Sequence, residues 1–227
     1  MKPCGDPWAA SGMKARNAPL EAPVRAFLST LVGDEALHAK FLNTLSMLEH
    51  MGSRKIMVSQ MDKGATLNQD VLQHLAEEAR HAYFFKRHAE RVNGAQMPGW
   101  IDGNTLSRIP ALMYFGRLDA GISKRLQNLS SSSRWRASPE ALAQTGSSDA
   151  SREAADVMDP RCLSEASPHR GDDNSLDPYG WVSLVIELRA CWLYAIYDEV
   201  VEAAGVHLPL KGLIAEEDGH LAEVFEL

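Results

Sequence analysis

Apolar positions recur at alternating steps of four and three along residues 71–92. Val71, Leu75, Ala82, Phe85, Ala89 and Val92 fall on one helical face. Glu78 takes the one place in that series that is not apolar. The same rhythm carries Leu45, Glu49, Gly52 and Ile56 in an earlier segment and Leu184, Glu187, Cys191 and Tyr194 in a later one. Leu213, Glu217, His220 and Val224 repeat it near the end. Four segments thus each turn one glutamate toward the side that should form the core.

Capping residues set the limits of these segments. Gly33 closes a short apolar stretch, residues 24–32, and Asp34 is a good N-cap for a helix reaching about residue 62. Residues 63–67 read as a turn. Asn68 caps a second helix to about residue 92, which Asn93-Gly94 stops. Pro98, Gly99 and Gly103 mark a loop, and residues 106–129 read as an amphipathic helix with Leu112, Phe115 and Leu118 as its apolar positions. A further helix spans residues 181–204 and closes at Gly205, and Pro209 suits the first turn of the last one. Two stretches lack any period. Residues 1–22 read as a flexible leader. Residues 130–178, rich in Ser, Ala, Asp, Arg and Pro, read as a disordered insertion. The expected fold is therefore all-α: one domain over residues 23–227, a four-helix bundle with a long crossover between its second and third helices.

Composition narrows the function classes. A hydrophobic content of 45% supports a sizeable core, and a net charge of -7 argues against a nucleic-acid-binding surface. No run of 18 apolar residues predicts a membrane span, and the first residues lack the apolar stretch of a secretory signal. Cys4, Cys162 and Cys191 form no disulfide framework, so a reducing cytoplasm is the expected setting.

The inward glutamates decide the chemistry. A buried carboxylate without a partner costs several kcal/mol, and no Lys or Arg lies on these four stripes. Two divalent ions would balance Glu49, Glu78, Glu187 and Glu217. His81 and His220 would each add one nitrogen. Oxygen-rich coordination with an imidazole suits iron or manganese better than tetrahedral zinc. The spacing repeats: Glu49 precedes Glu78 by 29 residues and Glu187 precedes Glu217 by 30, each pair ending in Glu-x-x-His. A third Glu-x-x-His, Glu35 with His38, sits in the first turn of its helix, where Glu35 complements the helix dipole. His50, His74 and His88 are expected to be solvated or to lie behind the ligands, His74 being one turn before Glu78. Glu77 and Glu216 are expected to face outward, and Cys191 and Tyr194 to be core residues. Asp198 and Glu199 are rivals to Glu187. Arg80, Lys86, Arg87 and Arg91 read as a solvated helix face.

These residues resemble the ferritin-like superfamily of carboxylate-bridged di-iron proteins, over residues 34–92 and 181–227. The order in that family is Glu, Glu-x-x-His, Glu, Glu-x-x-His, one element per helix. Glu49, Glu78 with His81, Glu187, and Glu217 with His220 fall on it. The resemblance implies that Glu78 and Glu217 bridge two iron ions while Glu49 and Glu187 bind terminally, with manganese or a mixed Mn/Fe pair as alternatives. It further implies an O2-activating oxidase or monooxygenase with a small organic substrate and an electron-donor protein, and a homodimer is compatible with it. Ferroxidase or iron-handling activity, rubrerythrin-like peroxide scavenging, and a non-catalytic bundle that serves as a binding module are the rival readings. Two features depart from the family: the chain given runs only seven residues beyond His220, and the 130–178 spacer is longer than the family crossover.

Overall fold

A computed structural model describes residues 13–61, 69–136 and 178–226, with side chains over residues 15–58, 69–128 and 181–221. The described residues are all-helical: α1 (Met13–Val32), α2 (Glu35–Met61), α3 (Gln69–Asn93), α4 (Arg108–Arg136), α5 (Pro178–Ala203) and α6 (Lys211–Glu226). Residues 1–12 of the expected leader and 137–177 of the expected insertion lie outside the described residues.

Asp34, Gly94 and Gly205 act where the sequence puts them, while the turn at residues 63–67 and the cap at Asn68 lie outside the described residues. The Leu37 amide donates to Asp34 Oδ1 at 3.0 Å, so Asp34 caps α2. Gly94 and Gly205, just past the ends of α3 and α5, have φ of 68° each, the left-handed conformation that glycine adopts without steric cost. Four boundaries differ from expectation, one of them being α5, which begins at Pro178, the last residue of the stretch read as insertion. α1 begins at Met13, inside the stretch read as leader, and carries Pro19 and Pro23. α4 runs on to Arg136, inside the stretch read as insertion. α6 starts at Lys211, beyond Pro209.

α2 and α3 make the most extensive helix contact, and α5 packs chiefly on α6. Ser46 Oγ donates to the Ala82 carbonyl at 2.7 Å, Lys86 Nζ donates to Asn43 Oδ1 at 2.9 Å, and Gly52 faces Glu78. This order of pairing makes α2 and α3 antiparallel neighbours. α1 covers α2 and α5 with Leu28, Leu31 and Val32. The loop after α3 is tied down by Asn43, whose amide donates to the carbonyls of Asn104 at 2.7 Å and Gly99 at 3.3 Å.

The main apolar core takes Phe41, Leu42 and Leu45 from α2, Phe85 and Ala89 from α3, Tyr194, Tyr197 and Val201 from α5, and Leu208, Leu210 and Leu213 around the start of α6. Its inward positions continue directly into polar ones. Glu49 follows Leu45 on α2. His81 and Glu78 precede Phe85 on α3, and Glu187 precedes Cys191 and Tyr194 on α5. The polar cluster is thus the continuation of the core stripe and is buried with it.

Candidate metal centre

Four helices supply the centre. α2 gives Glu49, α5 gives Glu187, and α6 gives Glu217 and His220. α3 gives His74, Glu78 and His81, at helical steps of four and three that place all three on one face. Glu217 is 1% exposed, His81 2%, His220 3% and Glu187 4%. The ligand atoms form two groups, each within 4.8 Å: His74, Glu78, Glu187 and His220 in one, and Glu49, Glu78, His81 and Glu217 in the other. Glu78 belongs to both. Glu217 also spans them, with Oε1 3.0 Å from His81 Nδ1 and Oε2 3.7 Å from His220 Nδ1.

The hydrogen bonds around these groups leave one side of each histidine unused. The outward Nε2 of His81 bonds Glu216 at 2.8 Å, and Arg80 holds the same carboxylate at 2.7 Å. The outward Nε2 of His220 bonds Glu77 at 2.7 Å. Each histidine is therefore held by the glutamate that precedes the ligand glutamate of the opposite helix. With a proton on Nε2, Nδ1 turns a lone pair inward. His81 Nδ1, His220 Nδ1, His74 Nε2 and both Glu217 oxygens are buried without a hydrogen-bond partner among the described residues. The 3.0 Å approach of His81 to Glu217 lacks hydrogen-bond alignment. Buried polar atoms are nearly always paired, so five converging unpaired ones fit a cation.

Protons supply the compensation in the metal-free protein. Burial, then the neighbouring Glu78 charge, raises Glu49 to about 8. Burial, then Glu187, pushes Glu217 well above the usual carboxylate range. Burial also acts against a charged Glu187, but contacts with Glu217, His220 and His74 outweigh it and hold that carboxyl low. For His74 and His220 burial favours the neutral ring. Glu187 then overrides it, with Glu78 beside His74 and Glu217 beside His220, and both rise to about 10. Burial opposes the charged form of Glu77 too, yet the His220 contact wins and lowers its pKa. The outer glutamates are thus the charged partners of the histidines.

Two further features shape the centre. Tyr194 O–H donates a short hydrogen bond to Glu49 Oε1. Burial, then the Glu49 charge, pushes that phenol well above its ordinary pKa. Gly52 lies beside Glu78, and a Cβ there would stand 2.6 Å from Glu78 Oε2. A cavity of about 20 Å³ borders His74, Glu78 and Glu187, walled by Ile56, Phe115 and Ile186. That is room for one water-sized molecule. An ion pair between Lys55 and Asp119 ties α2 to α4 beside it.

All six expected ligands, Glu49, Glu78, His81, Glu187, Glu217 and His220, come together. Three other residues depart from expectation. His74 joins the centre itself. Glu77 and Glu216 turn across to the opposing histidines, because α3 and α6 face each other closely enough for the adjacent helical position to reach over. Tyr194 is a core residue as expected and also bonds Glu49. The rivals fall away: Glu199 pairs with Arg25 at 2.7 Å, and Asp198 is in neither group. His38 is buried and meets Tyr197 O–H at 2.5 Å, apart from both groups. Arg80, Arg87 and Arg91 are exposed, as a solvated face requires, with Arg80 paired to Glu216, whereas Lys86 is half-buried and donates to Asn43.

No family model, curated protein or solved structure matches this chain. Among the described residues no helix is long and apolar enough to cross a membrane.

Proposed function

We propose that the chain is a ferritin-like four-helix protein whose centre holds two iron ions and uses O2 to oxidise or hydroxylate a small organic substrate. The observation that carries this reading is the convergence of four glutamates and three histidines from four helices on two adjacent points, where buried atoms of His74, His81, Glu217 and His220, all on α3 and α6, have no hydrogen-bond partner among the described residues. When bound, the iron pair would supply the redox chemistry and the point of O2 attachment. The residues do the rest. Glu78 and Glu217 span the two positions, Glu49 and Glu187 close them from α2 and α5, and Glu77 and Glu216 fix the imidazoles. Tyr194 holds Glu49 and carries a proton on its hydroxyl. Ile56, Phe115 and Ile186 give the Glu78–Glu187 side an apolar wall, with Lys55 and Ser183 beside it. Electrons would come from a donor protein.

A second reading has one observation in its favour. The cavity beside His74, about 20 Å³, has room for a molecule as small as O2 or peroxide. That size suits peroxide scavenging or ferroxidase activity, in which the reductant is not housed there.

One experiment separates the two. Protein loaded anaerobically with Fe(II) is exposed to O2 without a donor. The oxidase reading expects rapid O2 uptake that stops once the bound iron pair is oxidised, even with Fe(II) in excess. Continued oxidation of the excess would favour the ferroxidase reading. No O2 uptake above the protein-free rate would eliminate both.

A further inference from the structure

We propose that the two metal positions are unlike, and that the position built by His74, Glu78, Glu187 and His220 selects the more nitrogen-seeking ion. From a mixture the protein then assembles an ordered pair of different metals. This inference rests on the metal centre proposed above and assigns it a selectivity.

The donor sets differ in kind. The first position has two imidazoles and two carboxylates. The second, Glu49, Glu78, His81 and Glu217, has one imidazole and three carboxylates. His74 makes the difference. Its Nε2 stands 3.4 Å from Glu187 Oε1 and 3.6 Å from Glu78 Oε1. His220 Nδ1 approaches the same two carboxylates at 3.8 and 4.0 Å. The two rings lie 4.0 Å apart between centroids, tilted by 37°. Both nitrogens are buried without a hydrogen-bond partner, so both aim at one point between Glu78 and Glu187. His81 and His220 each have a glutamate behind the ring, at Glu216 and Glu77, and among the described residues His74 has none.

Chemistry turns this difference into selectivity. Imidazole donors favour ions late in the series Mn(II), Fe(II), Co(II), whereas carboxylates suit manganese. Iron is thus directed to the His74 position and manganese to the His81 position when both are supplied.

The test uses Co(II) and Mn(II) as probes on the full chain. Metal-free protein is incubated with one equivalent of Co(II) and excess Mn(II), desalted, and analysed for metal content and for the visible absorption of bound Co(II). The expected result is one cobalt and one manganese per chain. His74→Gln should weaken cobalt binding about tenfold or more while manganese is retained. Glu49→Gln should do the reverse. Circular dichroism establishes that each variant is folded, and the reciprocal pair keeps the test decisive if one of them is not. A wild type with statistical occupancy, or His74→Gln that keeps the full cobalt preference, would overturn the selectivity and leave the dinuclear reading standing. A wild type that binds neither ion would overturn both.

Discussion

Glu77 and Glu216 show what one residue of displacement on a helix can do. Each precedes a ligand glutamate and would ordinarily point away from it, yet each bonds the histidine of the facing helix. A carboxylate behind a ligating imidazole fixes its tautomer and orientation, and losing it typically costs about 10- to 100-fold in metal affinity. Glu77→Gln and Glu216→Gln should each weaken metal binding by that order, measured by competition with a chromophoric chelator, while all expected ligands remain. Affinity unchanged within about twofold would mean that these carboxylates are surface groups and that the histidines are oriented by packing. The burial of Glu49, Glu78, Glu187 and Glu217 was legible in the sequence because they interrupt apolar stripes. Glu77 and Glu216 were not, because helical phase cannot say whether a flanking position meets solvent or another helix. His74 lies one turn from Glu78, but Leu75 holds the stripe there, so phase alone set His74 aside. Tyr194 was on its stripe, but its bond to Glu49 depends on the approach of α5 to α2.

At the scale of elements, the helices follow their punctuation. Asp34 caps α2, and Gly94 and Gly205 lie just past the ends of α3 and α5. α1 was less legible. Prolines at 19 and 23 each remove an amide from the helical ladder, and most of its surface is exposed, so periodicity stops short of its true start. α2 carries a local conflict of a different sort. Gly52 sits inside the helix, where alanine would stabilise by roughly 0.5–1 kcal/mol. Its missing side chain leaves the space that Glu78 occupies. Gly52→Ala should therefore separate stability from binding. The metal-free variant should melt at or above the wild-type temperature, yet bind metal at least about tenfold more weakly because Glu78 is displaced. In a Glu78→Asp background, whose shorter side chain withdraws from residue 52, the same change should add little further loss. Undiminished binding in Gly52→Ala would mean that Glu78 reaches the centre by another rotamer.

The whole molecule joins an apolar core to a polar cluster of four glutamates and three histidines without a break in burial. An all-α chain of this composition was legible from length, periodicity and caps. The pairing of its helices followed from short turns and one long connection. What the sequence could not supply was the distance between helices, and that distance decides which flanking residues reach the centre and how little space remains beside it. The central claim is that the cluster exists to hold two metal ions. Its most direct measurement is the metal content of the full chain after anaerobic Fe(II) loading and removal of free metal, compared with Glu78→Ala. Glu78 is the one residue shared by both groups, so its loss damages both positions, whereas the loss of Glu49 or Glu187 damages one. The expected result is two ions per wild-type chain, fewer than one in Glu78→Ala, and a melting temperature that rises with iron only in the wild type. A wild type that holds less than one ion per chain, with no thermal shift, would contradict the account.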